Sequence, residues 1–211
     1  MPWFKRARSA SLADRLPLEL RERLVDLEIY ARQLVRGGYV DRGQAIDLVE
    51  DYAEVELGSP QAIDAEALVD REIATLQREQ RHWEAVTSHD RLRAVMEGLE
   101  MSGIVAREDF CCCAECGNAE IGGELERAGK AGIPPLGYAF FHQQDTEAAV
   151  EGEGLYFSYG AAQWDATERE HIAIGRKVVK ALEAAGFSPS WNGRLDRRIH
   201  LPMTWQRRWG L

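Results

Sequence analysis

The chain has 211 residues, 45% of them hydrophobic, which is enough for one sizeable core or two small ones. Its formal charge of -9 argues against broad nucleic-acid binding, because an acidic surface repels phosphates. The apolar runs are far too short to span a membrane, and the basic start lacks the apolar stretch of a signal peptide, so a cytoplasmic location is expected.

Residues 1–15 are rich in Arg and Ser without periodicity and read as a flexible tail. Residues 16–86 read as a helical N-terminal unit. Leu20, Leu24, Leu27, Ala31, Leu34 and Val35 follow helical spacing, and Gly37-Gly38 ends that helix. Asp41-x-x-Gln44 is a capping box for a second helix, whose apolar stripe runs from Ala45 to Val55 and stops near Gly58. Ser59-Pro60 is expected to start a third, running through Leu68 and Leu76 toward Trp83.

Residues 87–211 read as an α+β domain. A helix over Asp90–Met101 leads into a short strand at Gly103–Arg107, then the cysteines, then a helix over Ala114–Ala128 weakened by Gly122-Gly123. Leu136–Gln143 and Leu155–Tyr159 read as strands. The overlapping boxes Asp165-x-x-Glu168 and Thr167-x-x-Glu170 open a helix with Ile174, Val178 and Leu182 on one face, stopped at Gly186. Trp191, then Arg198–Leu201, and finally Thr204–Trp209 read as one or two closing strands. From Ile104 the order is β-α-β-β-α-β, which predicts a ferredoxin-like antiparallel sheet with both helices on one face.

All four cysteines lie within Cys111-Cys112-Cys113-Ala114-Glu115-Cys116. Three readings fit them. Cys113-x-x-Cys116 can grip one zinc ion, with Cys112 or Cys111 and one of His142, His171 or His200 completing the set, His142 first among them. Alternatively the pair is redox-active, or a redox sensor, because a helix N-terminus stabilises the thiolate of Cys113 and leaves Cys116 as the resolving thiol. The prolines at Pro134-Pro135 resemble the proline beside thioredoxin active sites, but too few residues separate them from the cysteines for that fold. Third, the cysteines are small side chains packed at a crowded strand-to-helix turn. Cytosolic conditions keep them from forming structural disulfides.

His142-x-Gln144-Asp145 offers a histidine near a carboxylate. On a continuous strand the two would point to opposite faces, so Asp145-Thr146 is expected to cap a turn and not to form a dyad with His142. No Gly-x-Ser-x-Gly, Walker or His-Glu-x-x-His motif is present. The C-terminal arginines Arg194, Arg197, Arg198, Arg207 and Arg208 lie among Trp191, Trp205 and Trp209. That mix can stack on single-stranded nucleic acid, but on an acidic chain the tryptophans are expected to pack and the arginines to solvate the surface or meet an acidic protein partner.

Several segments occur together in order: Thr87-x-x-Asp90-Arg91-Leu92, Gly103-Ile104-Val105-Ala106-Arg107, Cys112-Cys113-x-x-Cys116-Gly117, Gly137-Tyr138-x-Phe140-x-His142-x-Gln144-Asp145-Thr146, Leu155-Tyr156-x-x-Tyr159-Gly160 and Trp191-x-Gly193. Together they resemble an uncharacterised bacterial domain family of unknown function, over about Thr87 to Trp209 and the preceding helices. The resemblance places Cys112, Cys113 and Cys116 on the family's cysteines. It leaves Cys111 where a hydroxyl residue is usual and Asp109 where asparagine is frequent. It implies bacterial origin and brings no mechanism. The expectation is therefore a non-enzymatic binding or interaction module centred on Cys112, Cys113, Cys116 and His142, with zinc as the candidate cofactor. The alternative is a thiol redox protein, with a hydrolase built on His142 as a more distant one.

Overall fold

The computed structural model describes residues 18–59, 63–132 and 134–210. The expected tail over residues 1–15, Pro60 of the expected third-helix start, and Ile133 lie outside the described residues.

Three helices, α1 (Leu18–Gly37), α2 (Arg42–Leu57) and α3 (Ala65–Gln80), pack around Leu27, Val35, Val49, Val69 and Leu76. The predicted capping box forms at Asp41, whose side chain accepts from the Gln44 amide at 2.9 Å while Gln44 accepts from the Asp41 amide at 2.9 Å. Gly38 and Gly58 take the left-handed conformation that releases the chain from α1 and α2. The third helix starts later than Ser59-Pro60 predicts. Asp64 is its N-cap, accepting from the Ala67 amide at 2.9 Å, because its carboxylate satisfies an amide that the first turn leaves open.

Helix α4 (Ser88–Met101) follows, capped by a Thr87–Asp90 box. The rest of the chain is β1 (Ile104–Arg107), α5 (Ala114–Lys130), β2 (Gly137–Phe140), α6 (Gln143–Val150), β3 (Leu155–Ala161), α7 (Glu168–Ala184) and β4 (Ile199–Leu201). The mixed α+β class is as expected, but the sheet is not ferredoxin-like. Its order is β1-β2-β3-β4, with β1 and β2 paired directly and parallel and the other pairs antiparallel. A split βαβ unit would place another strand between the first two. Here α5 supplies the crossover a parallel pair requires.

Nor do the helices share one face. Ile104, Ala106, Ala139, Leu155, Phe157, Ile199 and Leu201 pack with α4 and α7, whereas Val105, Tyr138 and Phe140 pack with Ile121 and Leu125 of α5. Both sides of β1 and β2 are apolar, so each needs a cover.

Beyond β4 the chain forms no closing strand over Thr204–Trp209. It returns to the helical unit and satisfies free carbonyls at the end of α1: Trp205 Nε1 donates to Arg36 O at 2.9 Å and Arg207 Nε to Gly38 O at 2.9 Å. Arg208 donates to Glu84 O at 2.6 Å and lies over the Trp83 ring. These arginines bind the protein's own backbone. Among the described residues, no helix is long and apolar enough to cross a membrane.

Candidate functional site

Residues 108–113 connect β1 to α5. Phe110 N donates to Phe141 O at 2.8 Å, and Gln143 N donates to Cys111 O at 3.0 Å, so the loop is laced to the segment joining β2 to α6. Asp109 (φ 51°) and Cys111 (φ 61°) are the two non-glycine residues at positive φ among the described residues. A side chain in that conformation costs about 1–2 kcal/mol, less for Asp, whose carboxylate can bond locally. The double reversal delivers Cys113 as N-cap of α5, with its carbonyl accepting from Gly117 N at 2.9 Å. Gly117 has no Cβ to hold the helix away from Phe140: a carbon there would sit 2.5 Å from Cε2. Close seating of α5 fixes Cys113 and Cys116 against the loop.

The Sγ atoms of Cys112, Cys113 and Cys116 all lie within 4.8 Å of one another, and the Cys112 and Cys116 sulfurs are 3.4 Å apart. A tetrahedral zinc with bonds of about 2.3 Å sets its sulfurs about 3.8 Å apart. The three thiols therefore stand within about 1 Å of a metal-binding spacing. Cys112 is exposed and the other two are half-buried, so the group is open to solvent.

The backbone amide of Cys116 in the first turn of α5, then its thiol, holds the Cys113 thiol below its ordinary value. Cys116 is pushed up to about 12 by its contacts with Cys112 and Cys113. Cys111 stands outside the group. Burial, then contact with the Glu120 carboxylate, raises its thiol, which disfavours a thiolate there.

Among the described residues no histidine joins the three sulfurs. His142 is buried and spent on α6. Its Nδ1 accepts from the Asp145 amide at 3.3 Å, and its Nε2 faces Asp145 Oδ2 at 3.1 Å and Arg198 Nη1 at 3.4 Å. Burial, aided by Arg198 and opposed by Asp145, lowers the imidazole pKa, which favours the neutral ring. His171 Nδ1 accepts from Ala161 N at 3.0 Å, and His200 stacks on Tyr156 with Nε2 2.9 Å from Glu153 O.

The expectation that His142 and Asp145 point apart does not hold. It assumed a strand through Gln143, but β2 ends at Phe140 and α6 begins at Gln143. Positions i and i+3 of a helix start face each other, so the two side chains meet in a capping box. Asp145 thus caps as expected, and Arg198 clamps its carboxylate.

A second polar group joins the two cores. Tyr39 donates to Glu108 Oε2 at 2.7 Å, with His89 Nε2 3.5 Å from the same oxygen and Arg207 over the Tyr39 ring. Burial works to raise the Glu108 carboxyl, but hydrogen bonds from His89 and Tyr39 outweigh it and hold it below the usual range. No local motif marks these residues, because they come from four separate segments.

No curated protein matches the chain, and no solved structure does. A family profile does, over residues 21–209, taking in the three helices, the sheet and the cysteine turn; the chain belongs to the family described as Domain of unknown function (DUF6891).

Proposed function

We propose that this domain is a binding module built around a soft-metal centre, with Cys112, Cys113 and Cys116 as three thiolate ligands for zinc. The mutual spacing of the three sulfurs carries this reading. The α+β domain of residues 87–211 supplies the centre, and the helical unit packs on that domain through α1 and α6. The sequence nominates His142 as fourth ligand. To bind, its ring would have to leave Asp145 and Arg198, so the fourth position falls to water or to a side chain of a protein partner. With its ring engaged by Asp145 and Arg198, His142 is not poised to act as the general base of a hydrolase.

Cobalt substitution tests the reading. Co2+ added to the reduced protein is expected to give the intense visible and near-ultraviolet bands of a tetrahedral thiolate centre at one equivalent. Cys112→Ser, Cys113→Ser and Cys116→Ser should each lose them, and Cys111→Ser should keep them. A six-coordinate spectrum without sulfur charge-transfer bands would reject the centre.

The 3.4 Å approach of the Cys112 and Cys116 sulfurs supports a second reading, a dithiol that cycles with a disulfide. A small-molecule disulfide would accept two electrons and two protons, leaving as two thiols while one protein disulfide forms. Exposure of metal-free protein to glutathione disulfide, followed by thiol counting and peptide mapping, separates the two. Rapid loss of two thiols, mapped to the Cys112–Cys116 or Cys113–Cys116 pair, favours the redox protein. Slow, mixed oxidation leaves the metal centre.

A further inference from the structure

The helical unit and the sheet meet at a cavity of about 140 Å3 that lies apart from the sulfurs, walled by α1, the α1–α2 turn, the middle of α2, the loop after β1 and α6. A cavity of about 150 Å3 is known to admit benzene, so this one suits a ligand of roughly six non-hydrogen atoms. Leu34, Val40 and Leu48 supply apolar lining, and Asp109, Glu147 and Gln143 supply polar groups.

The polar groups are acceptors in surplus. Thr146 donates to Asp109 Oδ1 at 2.6 Å, which leaves Oδ2 for another donor. Among the described residues, no side chain donates to the Glu147 carboxylate. The neighbouring cations are held by other partners, and Arg207 acts on Asp109 only through space. Arg32 holds Glu151 through both carboxylate oxygens, Arg36 holds Glu72 and Glu79, and Arg207 covers Tyr39. Glu147 is half-buried and no cation among the described residues pairs with it, so an incoming cation finds favourable ground beside it.

We propose that this cavity binds a small primary alkylammonium ion, its NH3+ between Asp109 and Glu147 and its alkyl chain against Leu34, Val40 and Leu48. Three N–H donors match the two carboxylates and one side-chain amide oxygen. A divalent metal fits less well, because it requires about six oxygen ligands where half the lining is hydrocarbon. Burial raises the carboxyls of Asp109 and Glu147, and each is influenced by the other's segment. Asp109 also faces Thr146, Arg207 and Glu108, and Glu147 lies near the Tyr30 phenol. Protons therefore compete with the ligand, and binding weakens as pH falls into the carboxylate range.

Titration calorimetry of the full chain with butylammonium tests this, with 1-butanol and Ca2+ as comparison ligands. One site per chain is expected, weakening as pH is lowered. The double variant Asp109→Asn, Glu147→Gln should bind about tenfold or more weakly, as should 1-butanol with the parent, because each loses a charge-assisted hydrogen bond. Asparagine tolerates the left-handed backbone at 109, so the variant keeps its fold, checked by near-ultraviolet circular dichroism. Failure of butylammonium to saturate the parent overturns the proposal, as does equal binding by the folded double variant. Binding of 1-butanol as tightly as butylammonium overturns it too, and so does tighter binding of Ca2+.

Discussion

Gly117 lets helix α5 seat against Phe140, and replacing it with alanine forces a steric conflict there. The new carbon would stand 2.5 Å from Phe140 Cε2 and 2.8 Å from Cζ. Carbon contacts relax at about 3.5–4.0 Å, so the ring or the helix must yield by roughly 1 Å. The ring has no room, since Phe140 is fully buried between Phe110, edge-on at 5.5 Å, and Tyr138, stacked at 6.0 Å. Helix α5 must lift instead, carrying Cys113 and Cys116. Overpacking of this kind costs about 1–3 kcal/mol, and a contact this close belongs in the upper half. Exchanging glycine for alanine inside a helix returns about 1 kcal/mol. The net expectation for Gly117→Ala is a loss of about 1–2 kcal/mol. Gly122 and Gly123, in the same helix, have nothing within 4 Å of an added Cβ. Alanine at either should stabilise by about 0.4–1 kcal/mol. Urea unfolding of the three variants, at unchanged m-value, measures both signs. A Gly117→Ala midpoint at or above the parent's would refute the seating of α5 on Phe140.

Further outcomes follow from the half-buried carboxyls. Folded-state carboxyls raised above their unfolded values, as at Asp109 and Glu147, contribute stability at low pH that disappears as pH rises through the folded pKa. The Asp109→Asn, Glu147→Gln protein should therefore be more stable than the parent at pH 7 without ligand, with the gap closing toward acid; a gap that widens toward acid contradicts this. Glu108 has the opposite sign: its lowered carboxyl contributes stability above the unfolded value and loses it as pH falls through the folded one. Glu108→Gln should then cost stability at pH 7 and little in strong acid, measured by thermal unfolding across pH; an equal cost at both ends would exclude the ionic role. Arg198→Ala leaves the Asp145 carboxylate, 5% exposed, without its cation. Because Arg198 itself is partly exposed, the cost should be about 2 kcal/mol, and a loss under 0.5 kcal/mol would show the clamp to be idle.

Local rules carried much of the fold. Periodicity located α1, α2 and α7, and the boxes at Asp41 and Thr167 closed at their expected positions. Helix α6 escaped notice because histidine is an unusual N-cap and the aromatic run before it reads as uninterrupted strand. The sheet order was beyond reach for a different reason. A β-α-β-β-α-β string does not say which strands pair, and pairing is decided by long-range contacts such as Val105 and Phe140 beneath Ile121. At the site, spacing alone brought Cys113 and Cys116 together, since both belong to one helix start. Cys112 joins them through the reversal at Cys111, and nothing in the spacing shows that. Spacing was also silent on His142, whose imidazole is claimed by a helix cap three residues away. The cavity is less legible still, since its walls come from α1, α2, the β1–α5 loop and α6, far apart in the chain.

The central claim is that three thiols on one turn form one metal centre. Native mass spectrometry of the reduced protein with equimolar zinc tests it most directly. The account predicts a single bound zinc with displacement of thiol protons, retained in Cys111→Ser and absent in Cys113→Ser and Cys116→Ser. Absence of zinc from the parent, or its retention in Cys113→Ser, would contradict it.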